Sequence, residues 1–191
     1  DYFSSTGQLW GTPTYYWSKH KSTNFKWWRE RFKRQFELVD ILRLDHFRAL
    51  AGYWRIDGSA KNAINGTWIN SPGKELLNFL KKDLKSNYLP IIAEDLGVIT
   101  KDVESLRDIY NLPGMKILQF AFDGNEKNPY LPKNINNENW VVYTGTHDNS
   151  TSISWWNQLD NNIKNFIKDN YNFSNDPSWN LIEIGMSTEA N

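Results

Sequence analysis

Apolar side chains along this chain follow two spacings, one typical of helices and one typical of buried strands. Between residues 24 and 39 they recur every three or four positions, which predicts a helix capped by Ser22 or Thr23. Ser71 and Pro72 form a cap and first-turn pair for a second helix. The predicted apolar faces contain Phe25, Trp28, Phe32, Phe36 and Val39 in the first helix and Leu76, Leu77, Leu80 and Leu84 in the second.

Two further helices are predicted nearer the end of the chain. Thr100 is the predicted cap of the third, and Asp102 and Glu104 lie where negative charge favours a helix N-terminus. The asparagine-rich segment 127–139 then indicates a surface loop. The apolar positions are Val103, Leu106 and Tyr110 in the third helix and Ile163, Phe166 and Ile167 in the fourth.

Four short apolar runs between these helices are typical of buried strands. They read "DILRLDHF", "LPIIAE", "LPGMKILQFAF" and "WVVYTGT". Strands that alternate with helices favour parallel pairing with right-handed crossovers, and hence an α/β sheet or barrel. In such folds the side chains that carry out chemistry collect at the carboxyl ends of the strands.

Composition and charge narrow the possible functions. The chain is 39% hydrophobic, with 10 Trp, 9 Tyr and 10 Phe, which is typical of a globular domain. Lys plus Arg and Asp plus Glu each number 22 and no basic run occurs, so neither nucleic acid nor membrane is an expected partner. The absence of cysteine excludes disulfides and thiolate chemistry and is compatible with the cytoplasm, the predicted location.

Acidic residues stand at the ends of three of the four predicted strands. Asp45 ends the first strand, Glu94 and Asp95 end the second, and Asp148 ends the fourth. A single strand-end acid is often only a helix cap, but three at one rim suit glycoside chemistry. In that chemistry an ionised carboxylate attacks the anomeric carbon, and a second, protonated carboxyl group donates its proton to the leaving oxygen. Strand alternation places Arg43 on the same face as Asp45, where its charge favours an anionic nucleophile.

Other side chains leave alternatives open. Trp10, beside Gln8 in the loop "TGQLWGTP", is a candidate ligand contact, whereas the paired tryptophans of "KWWRE" and "SWWNQ" are expected in the core. His46 and His147 are either hydrogen-bonded rim residues or substrate contacts. Histidines and acids at strand ends also suit a divalent-metal hydrolase. Arg43 would repel a cation and no strand carries two histidines at ligand spacing, so we assign no metal and no cofactor.

Five segments resemble successive signature blocks of the amylomaltases, also called 4-α-glucanotransferases or disproportionating enzymes, within the α-amylase superfamily. They read "DYFSSTGQLWG", "LRLDHFRAL", "IIAEDLGVIT", "LPGMKILQFAF" and "VVYTGTHDN", in family order. The resemblance implies a (β/α)₈ TIM barrel that transfers α-1,4-glucan segments between maltooligosaccharides with retained configuration. Glucan hydrolysis and glucan binding without turnover are the alternatives.

The resemblance also implies a role for each matched residue. Asp45 corresponds to the nucleophile, Glu94 to the general acid/base, and Asp148 to a third acid that binds sugar hydroxyls and stabilises the transition state. A loop region, residues 1–20, is expected to cover the glucan groove. The further sugar contacts implied by motif position are Arg43, His147, Gln8, Trp10, Asp95 and Phe120.

The chain departs from the family pattern in three motifs and in length. It reads "HFRAL" for "HFRG", "WGTP" for "WGNP" and "HDNS" for "HDND", and none of these changes replaces a proposed catalytic acid. Family members are much longer, and the matched blocks correspond to barrel strands four to seven. We therefore expect residues 1–191 to be a piece of the catalytic barrel, about four strand–helix units, completed by missing parts of the native chain. Because a partial barrel has open sheet edges, little or no activity is expected of it alone.

Overall fold

The computed structural model describes residues 4–171, 173–174 and 176–190, and the chain divides into two compact units after Leu112. In the first unit a short 3₁₀ helix, Phe47–Leu50, follows the first strand. The helices of this unit are α1 (Trp17–Ser22), α2 (Lys26–Phe36), α3 (Gly73–Leu84) and α4 (Lys101–Ile109), and its strands are β1 (Leu42–Leu44), β2 (Gly52–Ile56), β3 (Gly66–Asn70) and β4 (Ile91–Ala93).

The first unit contains one parallel and one antiparallel strand pair. β1 pairs with β4 in parallel, with Leu42 opposite Ile91 and Leu44 opposite Ala93, which confirms the predicted parallel pairing. β2 and β3 form an antiparallel hairpin between β1 and α3 that the apolar pattern did not predict. β3 is mostly exposed and β2 is only partly buried, so neither strand carries the alternating buried apolar face that would have marked it.

The predicted helical faces form the core of the first unit. Leu76, Leu77 and Leu80 of α3 are buried together with Ile91 of β4 and with Trp28 and Phe32 of α2. Burial of each such side chain contributes roughly 1.5–3 kcal/mol. Three predicted core positions are wrong: Trp27 of α2 is 50% exposed, Val39, which follows the end of α2, is 41% exposed, and Leu84, the last residue of α3, is 37% exposed.

The predicted helix caps are mostly wrong. α1 occupies residues 17–22, and α2 begins only after Phe25, whose φ of 54° turns the chain, so neither Ser22 nor Thr23 caps it. Pro72 precedes α3, and the buried Ser71 hydroxyl has no hydrogen-bond partner. Thr100 does stand at the N-cap of α4, as predicted, although its side chain accepts no bond from the helix backbone.

The second unit carries the other parallel pair. Gly114 of β5 lies opposite Trp140 of β6, and Ile117 lies opposite Tyr143, again as the pattern predicted. The chain turns into a 3₁₀ helix at Leu118, so the extended run is shorter than predicted. The strands are β5 (Gly114–Ile117) and β6 (Trp140–Tyr143), the helices are α5 (Ser152–Gln158), α6 (Asn161–Asn170) and α7 (Pro177–Met186), and 3₁₀ turns span Leu118–Phe120 and Pro132–Asn134.

The asparagine-rich segment is less of a surface loop than predicted. Asn128, Leu131 and Ile135 are all buried. The Asn128 amide donates to the Phe120 carbonyl at 2.8 Å, and its oxygen accepts from the Tyr130 backbone at 2.8 Å. The segment therefore packs against the end of β5 through a satisfied buried amide.

The architecture is mixed α/β: α3 lies between the parallel strands β1 and β4, and two 3₁₀ turns lie between the parallel strands β5 and β6. In the described residues the six strands form three two-stranded sheets, and no closed barrel is present among them. None of the helices within the described ranges combines the length and the apolar character needed to span a membrane.

Candidate active site

The ends of β1 and β4 bring two of the predicted acids out of neighbouring strands. The last ladder pair is Leu44 with Ala93, so Asp45 and Glu94 are the next residue on each strand. The Glu94 backbone N–H still donates to the Leu44 carbonyl at 3.1 Å. Both acids therefore leave a parallel pair at the same carboxyl edge, which is where this architecture presents reactive side chains.

The Glu94 carboxylate is held by the protein backbone. One oxygen, Oε2, accepts the backbone N–H of His46 at 2.6 Å, and the other, Oε1, accepts the N–H of Leu96 at 3.1 Å. The Glu94 carbonyl also accepts the N–H of Phe47 at 3.0 Å. Backbone N–H groups at two positions hold both oxygens of the side chain, so the position of Glu94 is fixed relative to the residue that follows Asp45.

A left-handed turn at His46 makes this arrangement possible. His46 has a φ of 48°, which costs a residue with a Cβ on the order of 1–2 kcal/mol. The cost is offset by Phe47 and Leu50, which are buried in the core immediately after the turn. The sequence does not predict this backbone role of His46, because the role depends on the local turn and not on the imidazole side chain.

Asp45 is oriented by the predicted ion pair. Arg43 Nη1 lies 2.8 Å from Asp45 Oδ1, which confirms that strand alternation places the two side chains on one face. The Asp45 side chain is 67% exposed, whereas that of Arg43 is half-buried. The carboxylate is thus accessible to a ligand while one of its oxygens is tied to a cation fixed on β1.

Asp95 has a different environment from its neighbour. Its side chain is only 4% exposed, and Oδ2 lies 2.5 Å from Nη1 of Arg107 on α4. Burial alone would lower the pKa of Arg107, but hydrogen bonds to Asp108 and Asp95 outweigh it and leave that pKa raised. Asp95 anchors α4 to the end of β4, and its contact with a sugar stays a prediction.

Gln8 and Trp10 lie together in an exposed loop. The indole N–H of Trp10 donates to Gln8 Oε1 at 3.3 Å, and Trp10 is 78% exposed. The loop rests on the segment between β2 and β3, where the Ala63 N–H donates to the Thr6 carbonyl at 2.9 Å. Gly7 permits this approach, with a φ of 71° and a position where a Cβ would lie 2.8 Å from that of Ala63. Residues 1–3 of the predicted covering loop fall outside the described residues.

The remaining predicted site residues belong to the second unit. His147 and Asp148 follow β6 and are exposed, with His147 Nε2 3.4 Å from Asp148 Oδ1. Asn149 closes the turn that contains them, because its side-chain oxygen accepts the Thr146 N–H at 2.8 Å. Phe120 ends the 3₁₀ helix after β5 and meets Tyr130 edge-to-face at 5.7 Å. The structure brings together Arg43, Asp45 and Glu94, and a common site with His147, Asp148 and Phe120 stays a prediction.

Gln119 joins the ends of the second strand pair, a link that sequence reasoning missed. Its side-chain amide donates to the Ser150 carbonyl at 3.0 Å, and its own carbonyl accepts the Trp155 indole N–H at 3.2 Å. The loop that carries Asp148 is thereby tied to the residue before Phe120. A glutamine between a strand and an aromatic residue gave no local signal of this contact.

The altered "HFRAL" motif is compatible with the local fold. Ala49 lies inside the 3₁₀ helix Phe47–Leu50, and its N–H donates to the His46 carbonyl at 2.9 Å. Right-handed helical dihedral angles suit alanine, so the loss of the family glycine imposes no backbone strain here. Within the described parts of the chain, no three His, Asp or Glu side chains are grouped so that they could hold a metal ion.

Comparisons with known proteins agree over the whole chain. Residues 1–191 match the family described as 4-alpha-glucanotransferase, glycoside hydrolase family 77. A 4-alpha-glucanotransferase from Synechocystis sp. is 55% identical over 158 residues, which cover 83% of this chain and 31% of that protein. A chloroplastic/amyloplastic 4-alpha-glucanotransferase from Arabidopsis thaliana is 45% identical over 192 residues, which cover 100% of this chain and 33% of that protein.

A solved structure is similar in three dimensions as well. The amylomaltase from Streptococcus agalactiae in complex with acarbose superposes with a TM-score of 0.91 at 37% identity, covering 100% of this chain and 38% of that one. This chain therefore spans about a third of the length of the curated relatives it matches. On the full-length family match and these similarities, the chain belongs to the 4-alpha-glucanotransferase family, glycoside hydrolase family 77.

Proposed function

We propose that the protein containing this chain transfers α-1,4-glucan segments between maltooligosaccharides by a retaining double displacement. The observation that carries the proposal is the fixed pair of acids at the ends of β1 and β4, with Glu94 bonded to the backbone next to Asp45. Family membership and the acarbose complex of the S. agalactiae enzyme support a glucan substrate, since acarbose is a maltooligosaccharide analogue.

The first displacement forms a covalent glycosyl enzyme. An oxygen of Asp45, oriented by Arg43, attacks the anomeric carbon, while the bond from that carbon to the leaving glucan oxygen breaks. Glu94 gives its proton to that leaving oxygen. Each Glu94 oxygen accepts one backbone N–H and keeps a second lone pair, which can carry the transferable proton. Retention requires the carboxyl groups to lie about 5–5.5 Å apart, and a separation of ~6.5–9.5 Å would indicate inversion.

The second displacement transfers the glucan segment. Glu94, now ionised, takes the proton from the 4-hydroxyl of an acceptor glucan, whose oxygen attacks the anomeric carbon and releases Asp45. Transfer prevails over hydrolysis only where acceptor sugar excludes water. We propose residues 1–20, with Gln8 and Trp10 at an exposed position, as the segment that covers the groove and limits water.

The second unit is proposed to bind the sugar at the cleavage point. Asp148 would accept hydrogen bonds from sugar hydroxyls and offset positive charge in the oxocarbenium-like transition state. His147 would donate to the same sugar, and Phe120, which is 42% exposed, would provide an apolar face. Asp95 is the least suited of the predicted contacts, because its carboxylate is paired with Arg107.

The length of the chain leads to a second part of the proposal. β1, β4, β5 and β6 correspond to barrel strands four to seven, and the rest of the native protein supplies the remaining strands. Residues 1–191 alone should then show little or no disproportionation of maltotriose, and measurable activity of the isolated chain would contradict this. A cytoplasmic location stays a prediction, since the Arabidopsis relative is named as chloroplastic/amyloplastic.

Product analysis tests the function directly. The full-length protein that carries this sequence is incubated with maltotriose, and the products are separated by chromatography. Transfer yields both shorter and longer glucans, whereas a hydrolase yields only shorter ones. A pure glucan-binding protein yields no new product and still binds maltotriose, and either of these two results would overturn the proposal.

A further inference from the structure

Arg48 connects the segments that follow the two acids. It lies in the 3₁₀ helix Phe47–Leu50, directly after the turn at His46. Its Nη1 donates to the Val98 carbonyl at 3.0 Å and to the Thr100 hydroxyl oxygen at 3.1 Å. Both acceptors belong to the segment between Glu94 and α4. A single guanidinium thus joins the chain after Asp45 to the chain after Glu94.

The hairpin holds this guanidinium from another direction. The Cζ atom of Arg48 lies 4.5 Å from the centre of the Trp68 ring on β3. A cation over an indole face at this distance is favourable, and a guanidinium can make this contact while its N–H groups donate to other partners. The contact thus holds the guanidinium on a second side while it makes the two hydrogen bonds. It also gives the hairpin, which the apolar pattern did not predict, a role next to the acids.

The hydrogen bonds continue to the start of α4. The Thr100 hydroxyl bonds to the Asp102 carboxylate and lowers the pKa of Asp102, and the charge of Arg48 acts in the same direction more weakly. Thr100 thus accepts from Arg48 and donates to Asp102, which explains why its side chain does not cap the helix backbone. The segment from 95 to 100 is therefore held at its far end by a network that begins at Arg48.

We propose that Arg48 is a positioning residue that sets the placement of Glu94 relative to Asp45. Glu94 Oε1 accepts the N–H of Leu96, so any shift of the segment that Arg48 tethers moves one of the two bonds that hold the carboxylate. Gly97, with a φ of 82°, adds backbone freedom within that segment, which increases the need for a tether. The inference rests on the proposed function, since it concerns the separation of the same two acids.

The test compares two substrates that differ in their need for a proton. Maltotriose has a sugar leaving group that Glu94 must protonate, whereas α-maltosyl fluoride releases fluoride without general acid catalysis. In the full-length protein, Arg48→Met should lower kcat for maltotriose by about 10- to 100-fold, because a displaced acid transfers its proton poorly. First-turnover fluoride release should fall less than about threefold, since Asp45 and Arg43 are unchanged.

Two further variants keep the test decisive. Arg29 pairs with Asp83 through two hydrogen bonds of 2.6 and 2.5 Å, and its Cζ lies over the Phe79 ring at 5.3 Å, so Arg29→Met removes comparable contacts where α2 packs on α3. Arg29→Met should leave the ratio of the maltotriose rate to the rate of fluoride release unchanged. Thr100→Val removes one of the two acceptors of Arg48 and nearly keeps the shape of the side chain. It should lower the maltotriose rate less than Arg48→Met does, and again lower it more than the rate of fluoride release.

The outcomes distinguish failure of the positioning role of Arg48 from failure of the proposed glucan transfer. Equal losses with both substrates, or no loss with maltotriose, in Arg48→Met would overturn the positioning role. If Arg48→Met does not fold, the ratio of the maltotriose rate to the fluoride-release rate in Thr100→Val tests the positioning role instead. Glu94→Gln calibrates the assay, because it must itself slow maltotriose far more than the fluoride. If Glu94→Gln shows no such difference, the proposed function has failed, and the inference about Arg48 falls with it.

Discussion

The two parallel strand pairs end in acids that the protein holds to different degrees. After β1 and β4, Asp45 is paired with Arg43 and Glu94 accepts two backbone N–H groups. After β6, the Asp148 side chain is 79% exposed and lies 3.4 Å from His147. The same strand-end geometry thus gives one carboxylate fixed by backbone and another positioned mainly by the turn that carries it.

This difference fits the roles proposed for the acids. A nucleophile and a proton donor must keep one separation through both displacements, so their positions benefit from bonds that do not depend on the substrate. An acid that binds sugar hydroxyls forms its hydrogen bonds with the ligand itself and is ordered when the ligand is present. The contrast teaches that preorganisation is concentrated at the two acids to which the covalent chemistry is assigned in the proposed mechanism.

The largest loss of turnover is expected at Asp45, in the pair of acids that follows β1 and β4. Asp45→Asn should lower the turnover of maltotriose by the full-length protein by about 10⁴-fold or more, since the amide is a poor nucleophile and no covalent intermediate forms. The chromatographic transfer assay measures this loss. Asp40→Asn, which changes an exposed acid shortly before β1, is the matched control and should retain activity. Turnover by Asp45→Asn near the parent rate would remove Asp45 from the proposed mechanism.

A smaller loss is expected at the more exposed acid. Asp148→Asn keeps the shape but removes the charge, so kcat for maltotriose should fall by roughly 10²- to 10³-fold, the usual loss for one electrostatic contact to a transition state. The midpoint of chemical denaturation should not move, because the side chain is exposed. Asp169→Asn, at an exposed position of α6, is the control for a lost surface charge. A large drop in stability without a drop in kcat would mean that Asp148 acts on the fold and not on the sugar.

The elements that position the acids could largely be predicted from the sequence. Helical faces such as Leu76, Leu77 and Leu80 carry a strong period, and strand–helix alternation gave the two parallel pairs. The β2–β3 hairpin was missed because Trp54 and Trp68 are exposed and pair with each other without an apolar face to mark the strands. The cap predicted at Ser71 failed because α3 begins only at Gly73 and the buried Ser71 hydroxyl makes no hydrogen bond to it.

The features of the candidate site also divide into those that the sequence predicts and those that it does not. Strand-end acids and the Arg43–Asp45 pair follow from alternation along one strand, so local sequence is enough to predict them. What fixes Glu94 is a backbone N–H at His46, and backbone groups have no sequence identity to detect. Arg48 and Arg107 reach partners across loops, where sequence separation gives no period to follow.

The smallest expected effect on kcat is at Asp95, the residue that follows Glu94. Asp95→Asn leaves the Arg107 guanidinium with Asp108 but without its buried carboxylate, and removing one partner of a buried charged hydrogen bond costs about 2 kcal/mol. The denaturation midpoint of the full-length protein should therefore fall, while kcat for maltotriose changes by less than about threefold, because Glu94 keeps its own backbone bonds. Arg107→Met should produce a similar loss of stability. A rise in KM with unchanged stability would instead place Asp95 against the sugar, and the division of labour between these neighbouring carboxylates would then be wrong.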